Sequence, residues 1–549
     1  MAVSHALIQD LTPFVSLTLR VGKAPADSGM VRPAMPKPPR RAAAGATLRD
    51  PVAVVDIGSN SGRVMVFRPE AGGHLHVLAG SRAALRLARD LDRTGRIPPD
   101  ALERAFEALR DFRAIAGGSG VRRFEAAGTS ALRDAANGPP FIRKVRRELG
   151  ITIRILSGLE EARYGFLGAV GGLPVEDGAF FDLGGGSLQV GRFRGRRLVG
   201  ALSVPLGSLR VSDAFLKSDP PAPRELRKLR EHVRETLEEA GVKRLGPGEQ
   251  LVGTGGSLRN LAKVDQRASD YPIARLHGYE LARRRLHEIA GTLAAERQKK
   301  RARVPGLNAD RRDSVVGGAI VIETLMEVLG ADAVVVSGQG VREGLALSMA
   351  RETLEPSELV RRRSLDALAA RFVGWSEDRA SRREAFAEAL YTTLERWPSA
   401  ELADALRQGA RILDIGRTVD FFDRHEHTAD LVLATDLAGF SHRQVALLAA
   451  VVRQAGDEDE RIGRSLAPLV THEDEEPLER AAVLLALADE ITERTPPGSR
   501  AELDCRVRGD QVVVSVKALP SWGVKGLGDR FAGAFGRKLK VVAGAARRL

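Results

Sequence analysis

The chain has 549 residues, is 43% hydrophobic but only 5% aromatic, and carries a formal net charge of +13. That length accommodates roughly three to five domains, and a lone cysteine, Cys505, excludes an intrachain disulfide framework and any cysteine-cluster metal site. The basic balance fits an anionic partner, such as nucleic acid, a nucleotide, polyphosphate or an anionic membrane, without selecting one, and no apolar run approaches the roughly 20 residues of a membrane span.

Residues 1–50 read as a disordered, basic, Pro-rich leader, with prolines at 13, 25, 33, 36, 38 and 39 beside Lys37, Arg40 and Arg41. Gln9, Asp10 and Pro13 interrupt the first apolar stretch, so no secretion signal is expected and the cytoplasm is the expected location. From Pro51 to about Ala350 strands and helices alternate. PVAVVDIG and RVMVF read as strands, and ALERAFEALRDFRAIA sets Leu102, Ala105, Phe106, Leu109 and Phe112 on one helical face. IRILSG, AFFDLGGG, LVGTGG and AVVVSG are short apolar runs ending in small residues, and most lead into helical patterns. The expected class is α/β. Beyond 350 the pattern is helical, as in RREAFAEALYTTLERW and HRQVALLAAVVRQA. From about 500, ELDCRV and QVVVSVKA flank RGDQ as a hairpin.

A weak internal repeat carries the chemistry. VVDIGSNSGRVMVF (Val54–Phe67) and FFDLGGGSLQVGRF (Phe180–Phe193) each run from an apolar strand through an Asp into a Gly/Ser loop and out into a second strand. Two such hairpins predict two similar domains whose loops converge on one cleft. Glycines let backbone N–H groups approach oxyanions. Gly58, Ser59, Asn60 and Ser61 in one loop, and Gly184, Gly185, Gly186 and Ser187 in the other, are candidate phosphate ligands. Asp56 and Asp182, at the strand ends, are candidate holders of Mg²⁺. LVGTGGSLRNLA places Gly255, Gly256 and Ser257 at a helix N-terminus, another anion-binding position. In RILSGLEEARYGFLG, Glu160 and Glu161 open a helix. There a carboxylate either answers the helix dipole or, beside phosphate, deprotonates water. Thr129 and Ser130 open another helix, which offers Arg133 as a clamp on a phosphoryl group.

Together these segments resemble the exopolyphosphatase/guanosine pentaphosphate phosphatase (Ppx/GppA) family, part of the actin-like superfamily of acetate and sugar kinases and actin. The resembling stretches are DIGSNS (56–61), GTSALRDAAN (128–137), SGLEEARYGFLG (157–168), DLGGGS (182–187), PLGSLR (205–210), GTGGSLRNLA (253–262), PGLNADRRD (305–313) and SGQGVREGL (337–345). The resemblance implies two actin-like (ribonuclease H-like) domains with a facing cleft, 51–175 and 176–350. A mainly helical HD-like domain (351–495) and a small α+β C-terminal portion (496–549) would follow. It implies Mg²⁺-assisted removal of terminal orthophosphate from polyphosphate or from guanosine pentaphosphate, with Glu161 as base, Arg133 stabilising the transferred group, and Asp56 and Asp182 holding the metal. A homodimer is expected, with neither a membrane nor a specific nucleic acid as partner. Two positions depart from the family pattern. Gln189 stands where the family has Glu, which removes a charge from the site, and Leu413-Asp414 replaces the His-Asp pair of an HD site, which points to a structural role or a substrate channel for that domain and not to a second hydrolase. Two other functions follow from the same cleft: a polyphosphate or alarmone sensor with weakened chemistry, and an ATP-dependent small-molecule kinase.

Overall fold

The computed structural model describes residues 50–69, 75–350, 353–456, 466–498, 502–517, 519, 521–524 and 526–544. All but the last residue of the expected leader lies outside these. Two compact units divide the chain, one formed by Met1–Asp270 with Ala274–Arg363, the other by Tyr271–Ile273 with Ser364–Leu549. No helix of the described residues is long and apolar enough to cross a membrane.

The first unit holds two sheets. One comprises β1 (Val52–Ile57), β2 (Ser61–Pro69), β3 (Leu75–Ala84), β4 (Arg123–Gly128) and β5 (Ile153–Ile155), in the order β3-β2-β1-β4-β5. The other comprises β6 (Gly178–Leu183), β7 (Leu188–Arg194), β8 (Arg197–Val204), β9 (Gln250–Gly255), β10 (Tyr279–Ala282) and β11 (Ala333–Val336), in the order β10-β11-β9-β6-β7-β8. Each sheet begins as an antiparallel three-strand meander and continues with parallel strands on the side of its first strand, and in the second sheet the edge strand β10 then runs antiparallel to β11. This is the duplicated α/β pattern expected from the repeat. The duplication reaches the register: Asp56 lies opposite Arg63 across β1 and β2, and Asp182 lies opposite Gln189 across β6 and β7.

The continuous apolar run of β1 follows from burial on both faces. Ala53, Val55 and Ile57 belong to a core shared with the helix Pro99–Gly118, while Val54 turns to a second core with Phe180, Phe193 and Val252. On Pro99–Gly118, Ala105, Phe106, Leu109 and Phe112 are buried as the periodicity predicts, and Leu102 is partly covered. Two helices cross in the second core, Gly158–Gly171 and Val341–Ala350. The first packs on β6 to β9 and the second on β1, so each joins the sheet of the opposite half. They touch backbone to backbone: a Cβ at Gly344 would fall 1.8 Å from the Tyr164 carbonyl oxygen.

The second unit is helical through Glu377–Leu394, Ala400–Ile412, Arg424–Ala434, His442–Gly456 and Glu475–Arg494, around one apolar core. It ends in a three-stranded sheet, β12 (Leu503–Arg508), β13 (Gln511–Lys517) and β14 (Lys538–Gly544), with the helix Leu527–Phe535. The β12–β13 hairpin is the one read around RGDQ. Asp414, the acid that follows Leu413, is wholly buried against guanidinium groups. Arg383, itself wholly buried, spans from Asp414 to Asp489, and Arg379 and Arg417 also pair with Asp414. Nearby His425 has its imidazole pushed down to about 4 by burial, with Arg424 adding to the effect.

Candidate active site

The two hairpin loops of the first unit meet tip to tip. Their turns are built alike, with the Gly58 amide donating to the Ser61 carbonyl at 3.1 Å and the Gly184 amide to the Ser187 carbonyl at 3.0 Å. Gly186 permits the meeting: a Cβ there would lie 2.9 Å from Ser59 Oγ and 2.5 Å from Ser130 Oγ. Those two hydroxyls are 2.9 Å apart and both residues are buried. Gly255 adopts φ +112° and presses on the Leu183 carbonyl, which brings the start of the helix Gly256–Ala268 against the second loop.

The cavity between the loops is lined by Asp56, Gly58, Ser59, Asn60, Ser61, Glu161, Asp182, Gly184, Gly185, Ser187, Gln189, Gly255 and Gly256, all of them expected from sequence. Three expected residues stand elsewhere. Gly186 lies behind the lining against Ser59 and Ser130. The side chain of Ser257 is buried against Gly318. Arg133 turns to Glu161, its Nη1 donating to Oε1 at 2.5 Å and to the Leu156 carbonyl at 2.8 Å.

The adjacent acids of the Gly158–Gly171 helix have separate tasks. Glu160 closes a capping box with Ser157, receiving the Ser157 amide at 2.9 Å while the Ser157 hydroxyl accepts the Glu160 amide at 3.2 Å. Glu161, one residue on, is 5% exposed and lines the cavity. Burial pushes its carboxyl up to about 7; Arg133 opposes that rise, and the charges of Asp182 and Asp56 add to it. Burial likewise raises Asp56 and takes Asp182 to about 6. Gln189 is 3% exposed, and its Nε2 lies 2.9 Å from Ser187 Oγ, 3.1 Å from Ser203 Oγ and 3.4 Å from Glu161 Oε2.

Four arginines also line the cavity, Arg63, Arg259, Arg311 and Arg342, and the motif reading had singled out none of them. Burial drives the Arg63 guanidinium well below its usual range, and repulsion from Arg342 and Arg259 adds to that. Arg311 falls to about 10 for the same first cause. Its guanidinium faces the Asn60 amide, whose oxygen is assigned to that side at 3.1–3.2 Å. Arg259 donates to the Gly338 carbonyl at 2.7 Å. Signals for them were present. Arg63 occupies the repeat position of Gln189, and Arg259, Arg311 and Arg342 fall inside GTGGSLRNLA, PGLNADRRD and SGQGVREGL. Four arginines that repel one another around a floor of backbone amides give the cavity a character that favours an anion.

A sequence model of the Ppx/GppA phosphatase family matches residues 65–353, and a model of domain III of Ppx/GppA phosphatases matches residues 360–511. Exopolyphosphatase 1 of Mycobacterium tuberculosis is 32% identical over 298 residues, which cover 54% of this chain and 86% of that protein. Exopolyphosphatase 2 of the same species is 32% identical over 314 residues, covering 54% of this chain and 98% of that one. Among solved structures, an exopolyphosphatase from Cytophaga hutchinsonii superposes with a TM-score of 0.51 at 25% identity, over 55% of this chain and 97% of that one.

Proposed function

The chain belongs to the Ppx/GppA phosphatase family, and from that premise we propose that it hydrolyses the terminal phosphoanhydride of inorganic polyphosphate, releasing one orthophosphate per event. The observation that carries the proposal is Glu161: a buried carboxyl raised to about 7, facing a cavity of paired Gly/Ser loops and four arginines. A base poised near neutral pH suits proton removal from water. Arg133 occupies Oε1, which leaves Oε2 toward the Gln189 amide and the cavity.

In the proposed reaction the loop amides, Ser59 and Ser187 orient the terminal phosphate. Water oxygen bonds to its phosphorus as the bridging P–O bond breaks. The bridging oxygen departs with the bonding pair on the shortened chain, and Glu161 receives the proton of the water. Arg63, Arg259, Arg311 and Arg342 offset charge spread over the non-bridging oxygens. Mg²⁺ is part of the proposal. Asp56 and Asp182 are two partly buried carboxylates on one cavity, and no cluster of three His, Cys, Asp or Glu able to hold a metal occurs among the described residues. That set suits an ion which takes one or two carboxylates and completes its shell with phosphate oxygens and water. Bound there, the ion supplies further positive charge beside the phosphate.

The test is orthophosphate release by the purified full chain with Mg²⁺, from long-chain polyphosphate and from guanosine pentaphosphate, which presents the same terminal anhydride. Release from polyphosphate is expected, and release from neither substrate sinks the proposal. Because Glu161 works ionised, the rate rises as pH climbs through about 7 and levels off above it. A profile flat between pH 5 and 9 removes Glu161 as the base.

One observation favours a second reading, a phosphate-polymer sensor with weakened chemistry: an amide, at Gln189, faces Glu161 where the family has an acid. The variant Gln189→Glu separates the two. A competent hydrolase gains nothing from a second carboxylate beside Glu161, which only raises the base further. A site slowed by a missing charge gains on the order of a hundredfold in phosphate release.

A further inference from the structure

The stretch around the short 3₁₀ turn Ala309–Arg311 faces two ways. Arg311, 6% exposed, enters the cavity and meets the Asn60 amide. The flanking acids reach the other half of the unit. Asp310 pairs with Arg82 on β3, and Asp313 pairs with Arg86, just past β3, at 2.9 Å. Arg86 also donates to the Asp310 carbonyl at 3.4 Å. The residues after β3 in turn support the first phosphate loop. The Leu85 and Arg86 amides donate to the Asn60 carbonyl at 2.9 Å, and the Ala88 amide to the Ser59 carbonyl at 3.0 Å. The contacts close a ring that runs from Asn60 through Arg86, Asp313 and Arg311 back to Asn60.

We propose that Asp310 and Asp313 are positioning residues: clasped to Arg82 and Arg86, they hold Arg311 over the phosphate loop of the opposite half, so that an incoming phosphate chain meets a preset cation. A long arginine side chain loses much rotamer freedom when it is fixed, and fixing it before binding removes that cost from the binding step. Among the charges acting on the buried Arg311, Asp310 and Asp313 are the attractive ones, against Arg82 and Arg259. The clasp is not a stability device. Its four side chains are 24–32% exposed, a degree of exposure at which ion pairs contribute little to folding. The inference rests on the phosphate-cavity reading and names which residues outside the cavity set its affinity.

A mutant cycle on the full chain tests it, with tripolyphosphate binding measured by titration calorimetry and unfolding midpoints recorded alongside. The variant Asp310→Asn with Asp313→Asn is expected to bind roughly three- to thirtyfold more weakly, with its midpoint near wild type. Combined with Arg311→Gln it is expected to bind no worse than Arg311→Gln alone, because the clasp acts through that guanidinium. The single variant Asp310→Asn is measured beside the swap Arg82→Asp with Asp310→Arg, which regains most of what the single variant loses and decides the matter if the combined variant fails to fold. Wild-type affinity in the clasp variant, full additivity with Arg311→Gln, or a swap that regains nothing would overturn the proposal. A wild type that binds tripolyphosphate without cutting it defeats the hydrolase reading alone, and the cycle still judges the clasp. A wild type that binds none overturns both.

Discussion

Glu161→Gln lowers the rate of phosphate release about a thousandfold, within the range a positioned general base contributes, while tripolyphosphate affinity stays within a few-fold of wild type. The substitution keeps the shape of the side chain and removes its capacity to accept a proton as a base. The rest of the cavity has its own supports. The loops are fixed by their own turns, and the four arginines stand on other segments, Arg63 on β2, Arg311 on the 3₁₀ turn, and Arg259 and Arg342 on the helices Gly256–Ala268 and Val341–Ala350. Arg133 loses the Glu161 carboxylate but keeps the Leu156 carbonyl and Asp134. Binding and chemistry therefore separate in this variant, and the pH dependence around 7 disappears with the carboxyl. Release above a tenth of the wild-type rate, with the pH profile intact, assigns the base to another group.

Arg383→Leu destabilises the helical unit by roughly 3–5 kcal/mol, the cost of breaking a buried pair from one side. Arg383 is wholly buried. Its Nη1 donates to Asp489 at 2.7 Å, its Nε to the Ala410 carbonyl at 3.0 Å, and Nη2 reaches Asp414. Leucine fills much of the space and leaves two carboxylates facing an apolar side chain. Arg424, Arg417 and Arg379 remain on those acids, which keeps the loss finite. Hydrogen exchange on the full chain reads the effect locally, as faster exchange through Glu377–Leu394 and Glu475–Arg494 with the hairpin loops of the first unit unchanged. Protection equal to wild type in both helices would show that the network contributes nothing. In this network Asp414 accepts hydrogen bonds from guanidinium groups, a structural task.

The parts of the site legible in sequence are the local ones. A strand, an Asp and a Gly/Ser turn lie within about ten residues of each other, and the second copy doubles the signal. The meander-plus-parallel topology then follows from alternating apolar runs. Serine three positions before Glu160 was a readable capping signal, and it would have told the structural acid from the cavity acid. What sequence order hides is convergence. Arg63, Arg259, Arg311 and Arg342 come from four segments spread over the first unit, and although each falls in the repeat or in a motif stretch, nothing in those stretches shows that the four side chains meet. Arg133 and Ser257 show the opposite case. Each stands in a recognisable stretch, but the direction of its side chain is set by a tertiary neighbour, Glu161 in one case and Gly318 in the other.

The matching registers of the two hairpins bear on polarity. A pocket assembled from two equal halves has no inherent front or back, and a linear polymer with identical repeating units provides no direction of its own. Here the halves differ at the pair beside the cavity, a cation opposite Asp56 and an amide opposite Asp182. The amide side is also the side that holds Glu161. A duplicated scaffold thus acquires a head and a tail through its unequal pairs of residues, an asymmetry that removing units from one end of a chain requires.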